Sequence, residues 1–254
     1  MKDGRSEQIL ALVERRGYVA IEQLAAHFGV TTQTIRRDVN ALCESGSLVR
    51  QHGGASLPAA RLNSAYNARH VERVEEKRRI AEAVVAYLPD RASLFLALGT
   101  TVEFVAEALA ETSKTLTIVT NSTEVARIFW QRSSFETILT GGIVQHRNGG
   151  VVGRHAVDLI ANFRCDYLVT SVGGIEPDGT LLDFYDAELA VVTAMRIRAK
   201  IHLVVADHSK FFRSASQRLC ALSDIAIFFT DAPPPPPFAT LAVEQGVRVV
   251  VADR

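Results

Sequence analysis

Between Thr31 and Arg37 the chain reads TTQTIRR, and the side chains there suit the edges of DNA bases. Arginine presents a fork that pairs bidentately with guanine, and glutamine does the same with adenine. Thr31 and Thr32 carry short hydroxyls suited to capping a helix N-terminus. Ile35, Val39 and Leu42 then recur at i, i+4 and i+7, the spacing of one buried helical stripe. Gln33, Thr34, Arg36 and Arg37 fall off that stripe, with Thr32 beside them. That end of a recognition helix is the one that enters the major groove. Two adjacent arginines by themselves are more often solvated surface charge, so what flanks them decides.

A second set of residues with chemistry in them lies far along the chain. Gly99-Thr100-Thr101 combines close backbone approach, two hydroxyls and the amides of a helix start, which together favour an anion. A lone GTT is more often a plain turn with a threonine cap. Thr140-Gly141-Gly142, with Arg147, Gly149, Gly150 and Gly153 after it, forms a glycine-rich, partly cationic stretch. Asp183, Asp186 and Glu188, then Asp207 and Lys210, supply carboxylates and an amine able to bind hydroxyls and phosphate, or simply to pair at the surface. Taken together they suggest a small phosphorylated, hydroxylated ligand. There is no Walker A sequence, no GxGxxG and no HExxH, and none of the seven histidines has zinc-ligand spacing. His208-Ser209 beside Asp207 is too compressed to form a Ser-His-Asp relay by itself. No catalytic residue, metal or cofactor is expected.

The elements that must position these residues divide the chain. Ile9, Leu10, Leu12 and Val13 predict a first helix ending near Gly17, and Tyr18–Ala20 a short extended link. Leu24, Ala25 and Phe28 predict a second helix, and Gly29 the turn before the third, the order of a helix-turn-helix. Ser47–Arg50 and Gln51–Gly54 read as a two-stranded wing, with Arg50 and His52 as phosphate contacts. Residues 1–57 are thus a winged DNA-binding domain, and 58–74 a linker marked by a proline and little periodicity. From 75 to 254 helices alternate with short apolar strands. That predicts a mostly parallel sheet covered on both faces, with its ligand at the C-terminal strand ends. Pro233–Pro237 reads as a stiff polyproline-like loop.

Totals narrow the class. The chain has 254 residues, 48% of them hydrophobic, enough for a sizeable core. Formal net charge is zero, so DNA binding must come from a local patch. Residues 1–62 hold eight Lys and Arg against six Asp and Glu, a mild excess of +2. No apolar run approaches the ~18 residues of a membrane span. The N-terminus lacks the apolar core of a signal peptide. Cys43, Cys165 and Cys220 lie far apart with no CxxC pair. A cytoplasmic protein without membrane attachment is the expectation.

Gly17-Tyr18-Val19, Glu22-Gln23-Leu24, TTQTIRRDVNAL and RQHGGA resemble the N-terminal domain of the DeoR family of bacterial repressors. LGTT, VTN, TGGIV, GGVVG, SVGGI, DGTL and VADHSKF resemble that family's C-terminal sensor, so the likeness covers essentially the whole chain. It implies a Rossmann-like α/β sensor domain similar in fold to sugar-phosphate isomerases. It also implies a repressor that binds double-stranded operator DNA and releases it when a phosphorylated sugar or polyol binds. The runs HGGA, LLDFYDAE, DHSKF and TDAPPP point within the family to sn-glycerol 3-phosphate as the inducer. By matched position, Gly99, Thr100 and Thr101 cradle phosphate, Gly141 and Gly142 line the pocket, and Asp207 and Lys210 contact ligand. Asn121, Arg147 and Glu188 complete the set. The chain departs from the family pattern at Ala97, Val192 and Ser122, positions that bear on ligand choice. A homo-oligomer, dimer or tetramer, is expected on a palindromic operator. The alternatives are the same repressor answering another sugar phosphate, or a sugar-phosphate isomerase-like enzyme with Asp183 or Glu188 as base.

Overall fold

Three apolar stripes meet at the N-terminal end of the molecule. Helices α1 (Lys2–Arg16), α2 (Ile21–Phe28) and α3 (Thr32–Glu44) bring Ile9, Leu12, Val13, Leu24, Ile35 and Val39 into one core, closed by Leu48 and Ala55. Removing such side chains from water contributes about 1.5–3 kcal/mol each. The computed structural model describes residues 2–16, 18–51, 53–58, 66 and 68–252, so His52, an expected DNA contact, lies outside the described residues.

The wing is larger than its two expected strands. β2 (Val49–Gln51) pairs antiparallel with β3 (Gly54–Ser56), and β3 pairs in turn with Tyr18–Ala20, which is a strand, β1, rather than a link. A side chain at Gly54 would stand 2.5 Å from the Tyr18 ring, so only glycine lets that ring lie over the wing.

Behind the wing, α4 (Val74–Tyr87) opens the sensor. Its sheet has seven strands, all parallel. In chain order they are β4 (Ser93–Leu96), β5 (Leu116–Thr120), β6 (Phe135–Leu139), β9 (Cys165–Thr170), β12 (Ala199–Val205), β14 (Ile227–Thr230) and β15 (Arg248–Val251). Across the sheet the order is β15-β14-β12-β9-β4-β5-β6. Side-chain alternation between two covered faces explains why the middles of these strands, residues 94–96 and 203–205 among them, are continuously apolar. Leu94 and Leu96 point to one face, where α4, α5 (Thr100–Ala110) and α6 (Thr123–Phe129) pack. Phe95 and Ala97 point to the other, covered by α7 (Arg154–Ile160), α8 (Asp186–Arg198) and α9 (Pro236–Glu244).

Two features differ from the sequence expectation. Only part of Pro233–Pro237 is loop, because Pro236 and Pro237 begin α9. A first-turn position needs no amide hydrogen, and proline's fixed φ suits it. The glycine-rich stretches also carry small antiparallel sheets. β7 (Ile143–Val144) pairs with β8 (Val151–Val152), while β10 (Gly174–Ile175), β11 (Leu181–Asp183) and β13 (Gln217–Cys220) form a separate sheet. That second sheet touches the winged domain: Tyr18 packs in one apolar cluster with Leu182, Phe184 and Ala215. Gln23 Nε2 also donates to Ser214 Oγ at 3.5 Å.

Candidate functional site

The reading surface is built by what α3 hides. Thr31 caps the helix, its Oγ1 accepting from the Thr34 amide at 3.2 Å. Ile35 and Val39 are fully buried, which turns Gln33, Arg36, Arg37 and Asn40 to solvent. Asp38, buried on the same helix, accepts from Arg5 Nε at 2.6 Å, clipping α1 to α3. Exposed Arg50 on β2 joins Arg5, Thr31, Gln33, Thr34, Arg36, Arg37 and Asn40 around one concave surface. Thr32 is half-buried at the helix start. Four arginines face one carboxylate there, which supplies the local positive patch that a net-neutral chain needs. Arg5 and Asn40 had no sequence signal beyond their residue types.

The second site lies at the C-terminal end of β4, where the chain turns into α5. Gly99 has φ of 147°, and a side chain there would meet Ser171 Oγ at 2.1 Å. Glycine alone permits the approach, and it leaves the first amides of α5 facing a cavity. Thr100 and Thr101 line it with Leu98, Asn148, Ser171, Asp183, Glu188 and Lys210. Val172 and Gly173 line it too, as do Tyr66 and Arg69, which come from the segment joining the two domains.

Charge is unevenly divided in this cavity. Burial, helped by repulsion from Arg213 and Arg69, drops the Lys210 amine to about 7. Burial and the nearby Glu188 carboxylate lift Asp183 to about 6. Glu188 is held by Arg147 Nη2 at 2.6 Å and Asn148 Nδ2 at 3.0 Å, and Arg147 lies 3.5 Å over the Tyr185 ring. Hydrogen bonds of these kinds keep a buried carboxylate satisfied while leaving its other lone pairs for a ligand.

Of the residues expected to bind effector, the fold brings Gly99, Thr100, Thr101, Glu188 and Lys210 to one cavity. Arg147 stands behind Glu188. Asp207 is buried at the head of the turn carrying Lys210 and accepts from Ser209 N at 3.0 Å. Asn121 is fully buried with its amide on Val151 O at 3.3 Å, and Gly141 and Gly142 sit in an exposed turn after β6, outside the cavity lining. Ala97 and Val192 belong to the apolar core rather than to that lining. Sequence reasoning missed Tyr66, Arg69, Asn148 and Ser171. The Tyr66–Arg69–His70–Arg73 spacing, one helical face, was the available signal for the first two. Among the described residues no group of three His, Cys, Asp or Glu side chains is placed to hold a metal ion.

Residues 5–61 match the DeoR-like helix-turn-helix domain, and 72–232 match the DeoR C terminal sensor domain. The chain is 41% identical over 247 residues to the HTH-type transcriptional repressor CsqR of Escherichia coli (strain K12), covering 97% of this chain and 94% of that one. It is also 41% identical over 231 residues to the glycerol-3-phosphate regulon repressor of the same organism, covering 91% of each. Among solved structures, ribose 5 phosphate isomerase A from Neisseria gonorrhoeae aligns with 53% of this chain and 52% of its own, at 17% identity and a TM-score of 0.38. With both domains matched and both relatives named as repressors, the chain belongs to the DeoR family of helix-turn-helix transcriptional repressors and is a regulator rather than an enzyme.

Proposed function

We propose that this repressor holds α3 and its wing against operator DNA, and that sn-glycerol 3-phosphate filling the sensor cavity lowers that affinity. One observation carries the reading: cations, helix-start amides and carboxylates line one and the same cavity. The α5 amides, the threonine hydroxyls, Lys210 and Arg69 suit a phosphate. Asp183 and Glu188 suit the hydroxyls of a short polyol, since an ionised carboxylate only accepts. Likeness to the glycerol-3-phosphate regulon repressor supports this choice. Equal identity to CsqR makes another sugar phosphate the second reading. A two-fold oligomer on a palindromic operator completes the proposal, because helix-turn-helix dimers read matching half-sites. Among the described residues no helix is long and apolar enough to cross a membrane, in keeping with work on DNA in the cytoplasm.

A gel-shift titration tests the reading, using a DNA fragment that the protein itself selects from a random pool. Millimolar sn-glycerol 3-phosphate is expected to release the fragment and glycerol to leave it bound. Arg36→Ala is expected to bind it more weakly by about 1–3 kcal/mol. Release by fructose 1-phosphate or ribose 5-phosphate alone would transfer the role to that sugar. No release by any of them removes the effector reading, and wild-type binding by Arg36→Ala removes the recognition-helix assignment.

A further inference from the structure

The segment that joins the two domains is built into the effector cavity. Tyr66 donates to Glu103 Oε1 at 2.5 Å, and His70 Nδ1 lies 3.2 Å from Glu103 Oε2. Glu103 is buried in the first turn of α5, the helix whose N-terminus faces the cavity. From the other side Lys77, buried on α4, donates through Nζ to the backbone carbonyls of Arg69 and of Glu72, the latter at 2.7 Å. Arg73 adopts a left-handed conformation with φ of 53°. That is an unfavourable state for arginine, and its side chain reaches Asp207 at 3.5 Å and His208 Nε2 at 3.0 Å. Residues 66 and 68–73 are therefore fastened to two pieces of the cavity, the α5 turn and the Asp207–Lys210 turn.

Between these fastenings Arg69 lines the cavity beside Lys210. Arg69 also acts electrostatically on Asp183, Tyr185 and Arg213, so its guanidinium belongs to the same charged cluster. Arg213, Arg69 and Lys77 all act on Lys210, whose amine is lowered first by burial and then by their repulsion. An anion between them relieves that repulsion, and a guanidinium fork matches a phosphate's oxygens two at a time.

We propose that Arg69, carried by the interdomain segment, is a phosphate-binding residue of the effector site, with Tyr66 closing the wall beside it. This rests on the effector reading above and deepens it. Ligand then grips the segment leading to the DNA-binding domain as well as the sensor itself. Free and occupied cavities thus differ in how firmly residues 66–73 are held. A ligand shifts an equilibrium only through contacts that differ between its states, and this contact is placed on the chain between the two sites.

The test uses the full-length protein with sn-glycerol 3-phosphate as probe, followed by calorimetry and by hydrogen exchange. Wild type is expected to bind and to show slowed exchange in peptides covering 66–77 as well as 96–104. Arg69→Met is expected to bind about ten- to a hundredfold more weakly, with protection at 66–77 lost. Arg69→Lys, which keeps the charge without the fork, should fall between. Arg78→Gln, on the exposed face of α4 and paired with Glu75 at 2.8 Å, controls for surface charge in the same region. Thermal unfolding checks that each variant is folded. Wild-type affinity in a folded Arg69→Met overturns the proposal while leaving the effector reading intact. So does ligand protection confined to 96–104. Absence of saturable binding by wild type to sn-glycerol 3-phosphate, fructose 1-phosphate and inorganic phosphate removes the effector reading and this proposal with it.

Discussion

Lys210 shows how one residue ties ligand affinity to pH. Its amine is depressed to about 7, first by burial and then by Arg213 and Arg69, with Asp207 opposing. A phosphate dianion favours the charged amine, so binding raises that value and takes up a proton. Affinity should therefore strengthen as pH falls from 8 to 7, by about fivefold for a single group titrating near 7. Below about 6 the phosphate's own second proton returns and the trend fades. Calorimetric dissociation constants between pH 7 and 8 check this, with Lys210→Met expected to bind weakly and without the slope. Affinity that is flat, or that strengthens toward pH 8, rules out Lys210 as the titrating contact.

At the scale of elements, the β10-β11-β13 sheet links the cavity to the winged domain. Asp183 faces the cavity from the end of β11, while its neighbours Leu182 and Phe184 pack on Tyr18 of β1. Tyr18 in turn lies over Gly54 of the wing. Phe184→Ala removes a nearly buried ring from that contact, and it should change how strongly ligand releases DNA more than how tightly ligand binds. Parallel measurement of ligand affinity and of operator affinity with and without ligand decides the matter. Equal coupling in Phe184→Ala and wild type would exclude this contact as a route. Little of this was legible in the sequence, for a physical reason. The main strands announce themselves because their middles, such as residues 94–96 and 203–205, are apolar and buried on both faces. β10 and β11 are two and three residues long, with no room for a pattern. Tyr18–Ala20 reads as a link until its partner, β3, is known thirty-odd residues away. The exposed face of α3 was legible because Ile35 and Val39 define which side is hidden. Tyr66 and Arg69 were not, since a polar stretch with one helical face looks the same whether that face meets solvent or a cavity.

For the whole molecule, coupling between the two sites must run in both directions. A net-neutral chain offers no long-range charge through which a small anion could act on DNA bound at α3. The ligand must instead bind more tightly to an arrangement that DNA disfavours. The α3 surface stays open while the winged domain rests on the sensor, so control does not require covering the recognition helix. On the two-fold arrangement proposed above, it requires only that the placement of one winged domain relative to its counterpart depend on the cavity. Linkage then fixes a test independent of any structural route. If saturating sn-glycerol 3-phosphate weakens operator binding by some factor, saturating operator must weaken sn-glycerol 3-phosphate binding by the same factor per coupled site. The typical range is about 5- to 150-fold, or roughly 1–3 kcal/mol. Titrating fluorescent operator at several fixed ligand concentrations gives the first factor, and calorimetry on the preformed complex gives the second. Agreement places the effect in a thermodynamic coupling within one protein–DNA assembly. If ligand strips the operator yet binds free protein and complex equally, release is not coupled to the cavity, and competition for the arginines around α3 takes its place. In that case inorganic phosphate at equal ionic strength would release the operator as well.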